Sequence, residues 1–193
     1  MTMTISGTGP MHTYDADYYP WNIANEYIQN IIIEEGVTSI SSFAFEWTKN
    51  LEEIHVPSTL TSISNAAFFM TGCPKITLRS SVTDISSRAF SSASGMTVLC
   101  EVGSVAKEEA TNQGIHWQYI PFLNTLTLPN DTLTIESEAF ANLGEHVNIE
   151  IPADTINIDE HAFDNSVVLL LVKPGSYAAD WAETNEVPYI IVQ

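Results

Sequence analysis

A recurring Ala-Phe pair constrains the fold of this chain more than any other feature. Successive pairs are separated by 23, 22, 50 and 23 residues. The five pairs are Ala44-Phe45, Ala67-Phe68, Ala89-Phe90, Ala139-Phe140 and Ala162-Phe163. A period of this length is typical of units that cannot bury their own apolar face and must stack on the next unit. The sequence therefore predicts a solenoid instead of a globule around one core.

Each pair ends a segment that aligns with the others without a gap. The segments are 31–45, 54–68, 76–90, 126–140 and 149–163. Each begins with an apolar residue, any residue and a second apolar residue, an alternation that predicts a short strand with one buried face. Stacking would pair these strands as a parallel sheet. We expect the triplet, an isoleucine seven residues after it and the Ala-Phe pair to point inward. The phenylalanines are expected to pack in the core and not to form a ligand site, because an aromatic residue repeated at a fixed position of each unit favours packing.

Two segments interrupt or end the repeats, and both predict a helix followed by a strand. Gly103-Ser104 precedes a helical pattern that ends near Asn112, and Gly175-Ser176 precedes one that ends near Thr184. Each serine is suited to cap its helix, and Gly114 is placed to end the first one. The chain is thus predicted to be one domain over 1–193, divided into an N-terminal cap (1–30), a first repeat block (31–97), a helix-strand closure (98–120), a second repeat block (121–169) and a C-terminal closure (170–193).

Composition limits the classes of partner and the compartment. The formal net charge of −18 argues against nucleic acid and against attachment to anionic lipid, and it is typical of a solvated acidic surface. No run of 18 apolar residues predicts membrane insertion, and no basic region followed by an apolar segment predicts a signal peptide. Cys73 and Cys100 are 27 residues apart, out of register for neighbouring coils, so two free thiols are expected.

The sequence offers no constellation that predicts catalysis. It contains no Gly-x-Ser-x-Gly elbow, phosphate loop, His-Glu-x-x-His or Cys-x-x-Cys motif, and its histidines are scattered. We therefore predict a protein that is not an enzyme and that holds no metal and no cofactor. Residues 15–17, Asp-Ala-Asp among tyrosines, are compatible with a calcium or sugar contact. The favoured alternative is a capping loop whose tyrosines and Trp21 cover the first coil.

The repeats resemble one known family. The features that they share with it are the strand triplet, the turn with proline at positions 57, 129 and 152, the Val-Thr-Ser-Ile-like segment and the Ala-Phe pair. They are similar to the BspA-like, or Treponema pallidum-type, leucine-rich repeats of surface proteins. The N-terminal features Thr4-Ile5, Gly7-Thr8-Gly9 and Pro20-Trp21 resemble the segment that precedes the first repeat in such proteins. The resemblance implies an α/β leucine-rich-repeat solenoid, a right-handed superhelix with a parallel sheet of short strands and two blocks that each end in a short helix and strand.

The second block departs from the pattern of the first. Thr132 and Thr155 stand where the earlier repeats have Val37, Leu60 and Val82, and an apolar residue follows each threonine. We expect the backbone at that corner to differ between the blocks. An additional strand and a signal peptide that often begin family members are also missing from this sequence.

The resemblance implies adhesion or recognition at a cell surface or outside the cell, with a host or microbial surface protein or a glycan as partner. The chain is expected to be a monomer. Alternatives are a structural spacer that presents another domain, or an accessory module of a carbohydrate-active surface enzyme. Strand residues that point outward are the predicted binding ladder, since alternate residues of a strand face away from the core. They are Ile32, His55, Thr77, Thr127, Glu150, Glu53, Lys75 and Asn148.

Overall fold

The chain forms two compact units of stacked parallel strands. The computed structural model describes residues 1–14, 18–143 and 146–193. Unit 1 comprises Met1–Gln118 and unit 2 comprises Tyr119–Gln193, so their boundary falls within the predicted closure at 98–120. The calcium or sugar contact considered for residues 15–17 lies outside the described residues.

In its described residues, unit 1 combines short strands with one 3-10 helix and one α-helix. In chain order these elements are β1 (Thr2–Ile5), β2 (Gly9–Pro10), the 3-10 helix (Asn22–Tyr27), β3 (Asn30–Ile33), β4 (Val37–Ile40), β5 (Glu53–His55), β6 (Ser62–Ile63), β7 (Lys75–Leu78), β8 (Asp84–Ile85), β9 (Thr97–Cys100), α1 (Val105–Asn112) and β10 (His116–Tyr119), which ends one residue beyond the boundary.

The predicted triplets form parallel strands in register. β1, β3 and β5 make one sheet, and β7, β9 and β10 make another. Ile31 pairs with Ile54, and both side chains are buried. β5 and β7 contact each other but are not joined in one sheet, and Pro74, which precedes β7, has no N–H to donate. At the equivalent position Glu52 donates its N–H to the carbonyl of Gln29 at 2.7 Å.

The segment that ends at each repeated isoleucine of unit 1 forms a further sheet, which the sequence pattern did not predict. This sheet has the order β2-β4-β6-β8, and all its pairs are parallel. Ile40 pairs with Ile63, and Ile63 pairs with Ile85. All three isoleucines are buried as expected. Each repeat of unit 1 therefore contributes one strand from its triplet and a second strand that ends at its isoleucine.

The Ala-Phe pairs form the core of unit 1, as predicted. The ring centroids of Phe45 and Phe68 are 5.6 Å apart, and those of Phe68 and Phe90 are 5.8 Å apart. These spacings are those of favourable aromatic pairs. The turns are also joined through the backbone, since the Phe45 N–H donates to the carbonyl of Ala67 and the Phe68 N–H to that of Ala89, both at 2.9 Å.

Side chains replace the missing neighbour before the first repeat. Trp21 Nε1 donates to the carbonyl of Ala44 at 2.7 Å, and the Tyr19 hydroxyl donates to that of Ser42 at 2.6 Å. One repeat later, the equivalent carbonyl of Ala67 accepts a backbone N–H. The predicted role of Trp21 and a nearby tyrosine in covering the first coil is confirmed, and their polar atoms also satisfy backbone carbonyls.

Unit 2 repeats the same architecture on a smaller scale. Its elements are β11 (Asn124–Thr127), β12 (Thr134–Ile135), β13 (Val147–Glu150), β14 (Asn157–Ile158), β15 (Val168–Val172), α2 (Tyr177–Thr184) and β16 (Tyr189–Ile191). The first sheet has the order β11-β13-β15-β16 and the second pairs β12 with β14. Leu126 and Ala139 were expected to point into the core, and both expectations are wrong: the side chain of Leu126 is 40% exposed, and Ala139 is also exposed.

Both predicted closure helices are present. α1 and α2 begin directly after Ser104 and Ser176 and end at the predicted residues. The Ser176 hydroxyl accepts the N–H of Ala179 at 3.3 Å, as a helix cap does. The expected cap at Ser104 is wrong in its hydrogen bond: the residue has extended backbone at the N-cap, but its side chain accepts no N–H of the helix. Gly114 follows α1 with a φ of 66°, as predicted for a residue that ends a helix.

The corner of the second block, where we expected a slightly different backbone, keeps the hydrogen bond of the turn. In unit 1 the N–H of Val82 donates to the carbonyl of Arg79 at 3.0 Å, and in unit 2 the N–H of Thr132 donates to that of Pro129 at 3.0 Å. The turn is preserved because a hydroxyl can occupy the inward position. Thr155 is 1% exposed, and its Oγ1 donates to the carbonyl of Thr132 at 2.8 Å.

Candidate binding surface

The outward residues of β3 and β5 form the first part of the predicted ladder. Ile32 pairs in register with His55, and both side chains are exposed. Glu53 lies two residues before His55 on the same face, and its Oε1 is 3.3 Å from His55 Nε2. Both side chains are 59% exposed, so this pair contributes little to stability and both groups are accessible.

Lys75 and Thr77 continue the outward positions of unit 1 on β7. Lys75 is exposed and Thr77 is half-buried. β5 and β7 contact each other, although they belong to different hydrogen-bonded sheets. The outward row of unit 1 therefore continues from β5 to β7 without a ladder of backbone hydrogen bonds between these two strands.

Thr127 and Glu150 are direct cross-strand neighbours in unit 2. They pair in register, and Thr127 Oγ1 donates to Glu150 Oε2 at 3.1 Å. Both line a groove of about 250 Å³ that also includes Asn130, Asp154 and Lys173. Lys173 Nζ donates to the carbonyl of Gln193 at 2.8 Å. The groove presents hydroxyl, amide, carboxylate and ammonium groups, which are suited to hydrogen bonds with a polar ligand.

Asn148 was predicted as an exposed member of the ladder, and this expectation is wrong. The residue is 1% exposed. Its Nδ2 donates to the carbonyl of Phe122 at 2.8 Å and to Thr125 Oγ1 at 2.9 Å, and its Oδ1 accepts the N–H of Phe122 at 2.9 Å. A buried amide with this many partners holds the segment before β11 in place. Asn148 is a structural residue.

Two carboxylates at the corner after the strands are engaged in structure. Hydrogen bonds from the Ser58 N–H and hydroxyl lower the pKa of the Glu35 carboxyl. Partial burial raises the pKa of Glu101, but hydrogen bonds from the Ser80 N–H and the Arg79 guanidinium outweigh it and leave this pKa below its ordinary value. These carboxylates bind neighbouring repeats to each other.

The two thiols are buried and out of register with each other. Cys100 pairs with Leu78 across β7 and β9, five residues away from Cys73, as the sequence offset predicted. Both cysteines are free. Burial raises the pKa of each thiol to about 11, which leaves almost no reactive thiolate at neutral pH.

The described residues show neither a metal centre nor a membrane span. Within residues 1–14, 18–143 and 146–193, no three histidine, cysteine, aspartate or glutamate side chains come together as a metal site. His161 has carboxylate neighbours, with Nδ1 at 3.2 Å from Asp164 Oδ2 and Nε2 at 3.7 Å from Glu160 Oε1. Of the helices in the described part of the chain, none has the length and apolar character that crossing a bilayer requires.

The stacked parallel strands, the buried Ala-Phe turns and the short closing helices define the class as a leucine-rich-repeat solenoid. Residues 23–102 and 117–173 match six copies of the BspA type leucine rich repeat region. The chain belongs to this family, which confirms the resemblance read from its repeats. No curated protein matches the chain in sequence.

Three solved structures are among those similar to the chain. A leucine rich cell surface protein from Faecalibacterium prausnitzii A2-165 is 20% identical, with 75% of this chain and 41% of that one covered and a TM-score of 0.37. A leucine-rich repeat protein from Eubacterium ventriosum is 18% identical, with 89% and 61% covered and a TM-score of 0.38. The T. pallidum leucine rich repeat protein is 15% identical, with 76% and 62% covered and a TM-score of 0.38. The chain thus spans between about two fifths and about three fifths of the length of these proteins.

Proposed function

We propose that this chain is a non-enzymatic binding module of a secreted or cell-surface protein and that it binds a protein or glycan of a host or microbial surface. Membership of the BspA type leucine-rich-repeat family supports this proposal. The observation that carries it is the set of accessible side chains aligned on parallel strands of the two units. Each unit has its own proposed surface. The surface of unit 1 consists of Ile32, His55, Glu53, Lys75 and Thr77, and that of unit 2 consists of Thr127 and Glu150.

The physical argument is that, within each unit, paired strands present these groups without the entropic cost of ordering a loop. Ile32 offers an exposed apolar contact next to the polar pair His55 and Glu53. The groove beside Thr127 and Glu150 adds hydrogen-bonding groups in unit 2. This mixture suits a polar macromolecular ligand better than a small apolar one.

An array of matrix proteins and glycans, probed with the purified monomeric chain, tests the proposal. We expect at least one class of target to be bound, and binding to fall at least 10-fold in the variants His55→Ala, Lys75→Ala or Glu150→Ala. Arg88→Ala and Glu108→Ala are matched controls, because both side chains are exposed and lie outside the ladder strands. Their binding should equal that of the unchanged protein.

The alternatives predict different results. A spacer that presents another domain would bind no target on the array, and the surface variants would behave like the controls. An accessory module of a carbohydrate-active enzyme would bind polysaccharides only. Release of reducing ends from a polysaccharide by the pure protein would show that the chain is an enzyme and would contradict the proposal.

A further inference from the structure

The corner turn of unit 2 presents large apolar side chains to solvent at the same position in three successive coils. Leu133 is 52% exposed, Ile156 is 66% exposed and Tyr177 is 40% exposed. We call these three residues the apolar stripe. Leu133 and Ile156 are adjacent, because the N–H of Ile156 donates to the carbonyl of Leu133 at 2.9 Å.

Tyr177 occupies the corresponding place although it begins α2. In the first two coils a turn hydrogen bond precedes the stripe residue, and Thr155 N–H donates to the carbonyl of Pro152 at 3.3 Å. The same bond joins the Ser176 N–H to the carbonyl of Lys173 at 3.3 Å, directly before Tyr177. Ser176, like Thr155, is buried. The third coil therefore places its aromatic ring where the second places Ile156.

The stripe arises from an exchange of inward and outward residues relative to unit 1. There the turn ends in a buried apolar residue and an outward threonine follows, as in Leu60-Thr61 and Val82-Thr83. In unit 2 Thr155 is buried and Thr132 is half-buried, and the apolar residue that follows each threonine is exposed. Exposing a leucine or isoleucine forgoes the stabilisation that burial of its side chain would give. Large apolar side chains exposed at the same position of successive coils are typical of a surface that contacts a partner.

Carboxylates flank the stripe. Asp131 and Asp154 lie two residues before Leu133 and Ile156, within about 7 Å along the chain, and both are exposed. Asp180 lies three residues after Tyr177 on the same helical face and is also exposed. Unit 2 as a whole contains twelve acidic residues and one basic residue, Lys173, a formal charge of −11. A partner that covers the stripe must therefore bring positive charge.

This charge argues against a second copy of the chain, which would place one acidic border on another. It also argues against nucleic acid and anionic lipid. The spacing selects among basic peptides. Neighbouring strands are about 4.8 Å apart, and one turn of an α-helix rises about 5.4 Å, whereas residues on one face of an extended peptide repeat every 6.6–6.8 Å. A helix with one apolar residue per turn matches the stripe more closely.

From these observations we infer that the apolar stripe of unit 2 is a docking surface for a basic amphipathic helix. The apolar residues of the helix pack on Leu133, Ile156 and Tyr177, and its lysine or arginine side chains face the flanking carboxylates. In this mode of recognition, an amphipathic helix lays its apolar face on the protein, and its apolar contact residues are one helical turn apart. It is independent of the strand ladder, so either surface can be present without the other.

Fluorescence anisotropy with a labelled synthetic peptide tests this inference on the full chain in 0.15 M NaCl. The probe is a 15-residue helix with one leucine per turn on one face and lysines on both sides. A scrambled peptide of the same composition has no apolar face, and a third peptide carries glutamate for every lysine. We expect the probe to bind at least 10-fold more tightly than either control peptide.

A fourfold variant, T132V/L133T/T155L/I156T, then gives unit 2 the pattern of unit 1, in which a buried apolar residue precedes an outward threonine. We expect this variant to bind the probe at least 10-fold more weakly. T38A/T61A changes the equivalent outward positions of unit 1 and should leave the affinity unchanged. If the fourfold variant does not fold, L133N/I156N alters exposed side chains only and serves the same purpose.

Four results would overturn the inference. They are no binding of the probe, equal binding of the scrambled peptide, binding of the glutamate peptide, and full affinity in the folded stripe variants. Sedimentation velocity of the chain is a further decisive measurement. Self-association that disappears in L133N/I156N would show that a second copy of the chain, and not a basic helix, covers the apolar stripe. None of these results bears on the ladder, which is tested by its own variants.

Discussion

The residue two positions after each phenylalanine has a left-handed backbone. Trp47, Met70 and Ser92 have φ values of 59°, 52° and 58°, and Asn142 and Asn165 have values of 55° and 57°. This conformation is costly for residues other than glycine and asparagine. It recurs with unrelated side chains, so the stacked Ala-Phe turn imposes it. A sequence pattern based on residue type could not predict it for tryptophan or methionine.

The central phenylalanines should dominate the stability of their units. Phe68 is fully buried between the rings of Phe45 and Phe90. We expect Phe68→Ala to lower the free energy of unfolding by about 3–5 kcal/mol, because the substitution leaves a cavity among packed rings. Urea denaturation followed by circular dichroism measures this loss.

Phe140→Ala is the matched control for that substitution. Phe140 contacts Phe163 at 5.7 Å but is only half-buried. Phe140→Ala should lower the free energy of unfolding less than Phe68→Ala does, since part of the Phe140 ring already faces solvent. Equal losses at the two positions would contradict the view that burial within the ring stack determines the cost.

The two closing helices end in the same motif with different residues. After α1, the Ile115 N–H donates to the carbonyl of Ala110 at 2.8 Å while Gly114 has the left-handed backbone. After α2, the Val187 N–H donates to the carbonyl of Ala182 at 2.9 Å, and the left-handed residue is Glu186, with a φ of 56°. The second helix therefore carries strain that the first avoids.

Glu186→Gly should stabilise unit 2 by about 1 kcal/mol. The change relieves the left-handed strain and removes a carboxylate from a helix C-terminus, where the helix dipole disfavours it. The transition midpoint in thermal denaturation should rise. Gly114→Ala is the reciprocal variant and should lower the stability of unit 1 by a similar amount. A fall in stability for Glu186→Gly would show that its side chain contributes a contact that outweighs the strain.

At the scale of the whole molecule, negative charge is unevenly distributed. Unit 1 has a formal charge of −7 over 118 residues, from twelve acidic and five basic residues, whereas unit 2 has −11 over 75 residues. The ion pair between Arg79 and Glu101, at 3.0 Å, is in unit 1. Repulsion among carboxylates should therefore oppose folding, and more so in unit 2.

Salt should raise the thermal stability of the protein. Screening weakens repulsion between exposed carboxylates, so the melting temperature should increase between 0.02 M and 0.5 M NaCl. Replacing Glu183 and Asp180 by glutamine and asparagine should reduce this increase. Differential scanning calorimetry measures both effects, and a melting temperature that fell with salt would mean that attractive ion pairs dominate.

The sequence predicts which ladder residues point outward from their strands, but not which of them a distant segment covers. Period-two alternation correctly placed Ile32, Glu53 and His55 on the outward face of their strands. The same rule failed at Asn148, because it does not show whether a distant segment covers a strand. Phe122, 26 residues away, supplies the donor and acceptor that allow the amide to be buried.

The sequence by itself determined the repeat, the parallel strands, the buried phenylalanines and the closing helices. These features depend on the phase of apolar residues and on local capping chemistry, which are readable along the chain. The tertiary structure alone decided which polar residues are buried and which apolar residues are exposed. Thr155 points inward because the carbonyl of Thr132 in the neighbouring coil accepts its hydroxyl, and Ile156 is thereby turned to solvent. This hydrogen bond joins two coils, so neither segment predicts it by itself. It places the threonine inside and the isoleucine outside, the opposite of what their hydrophobicity predicts.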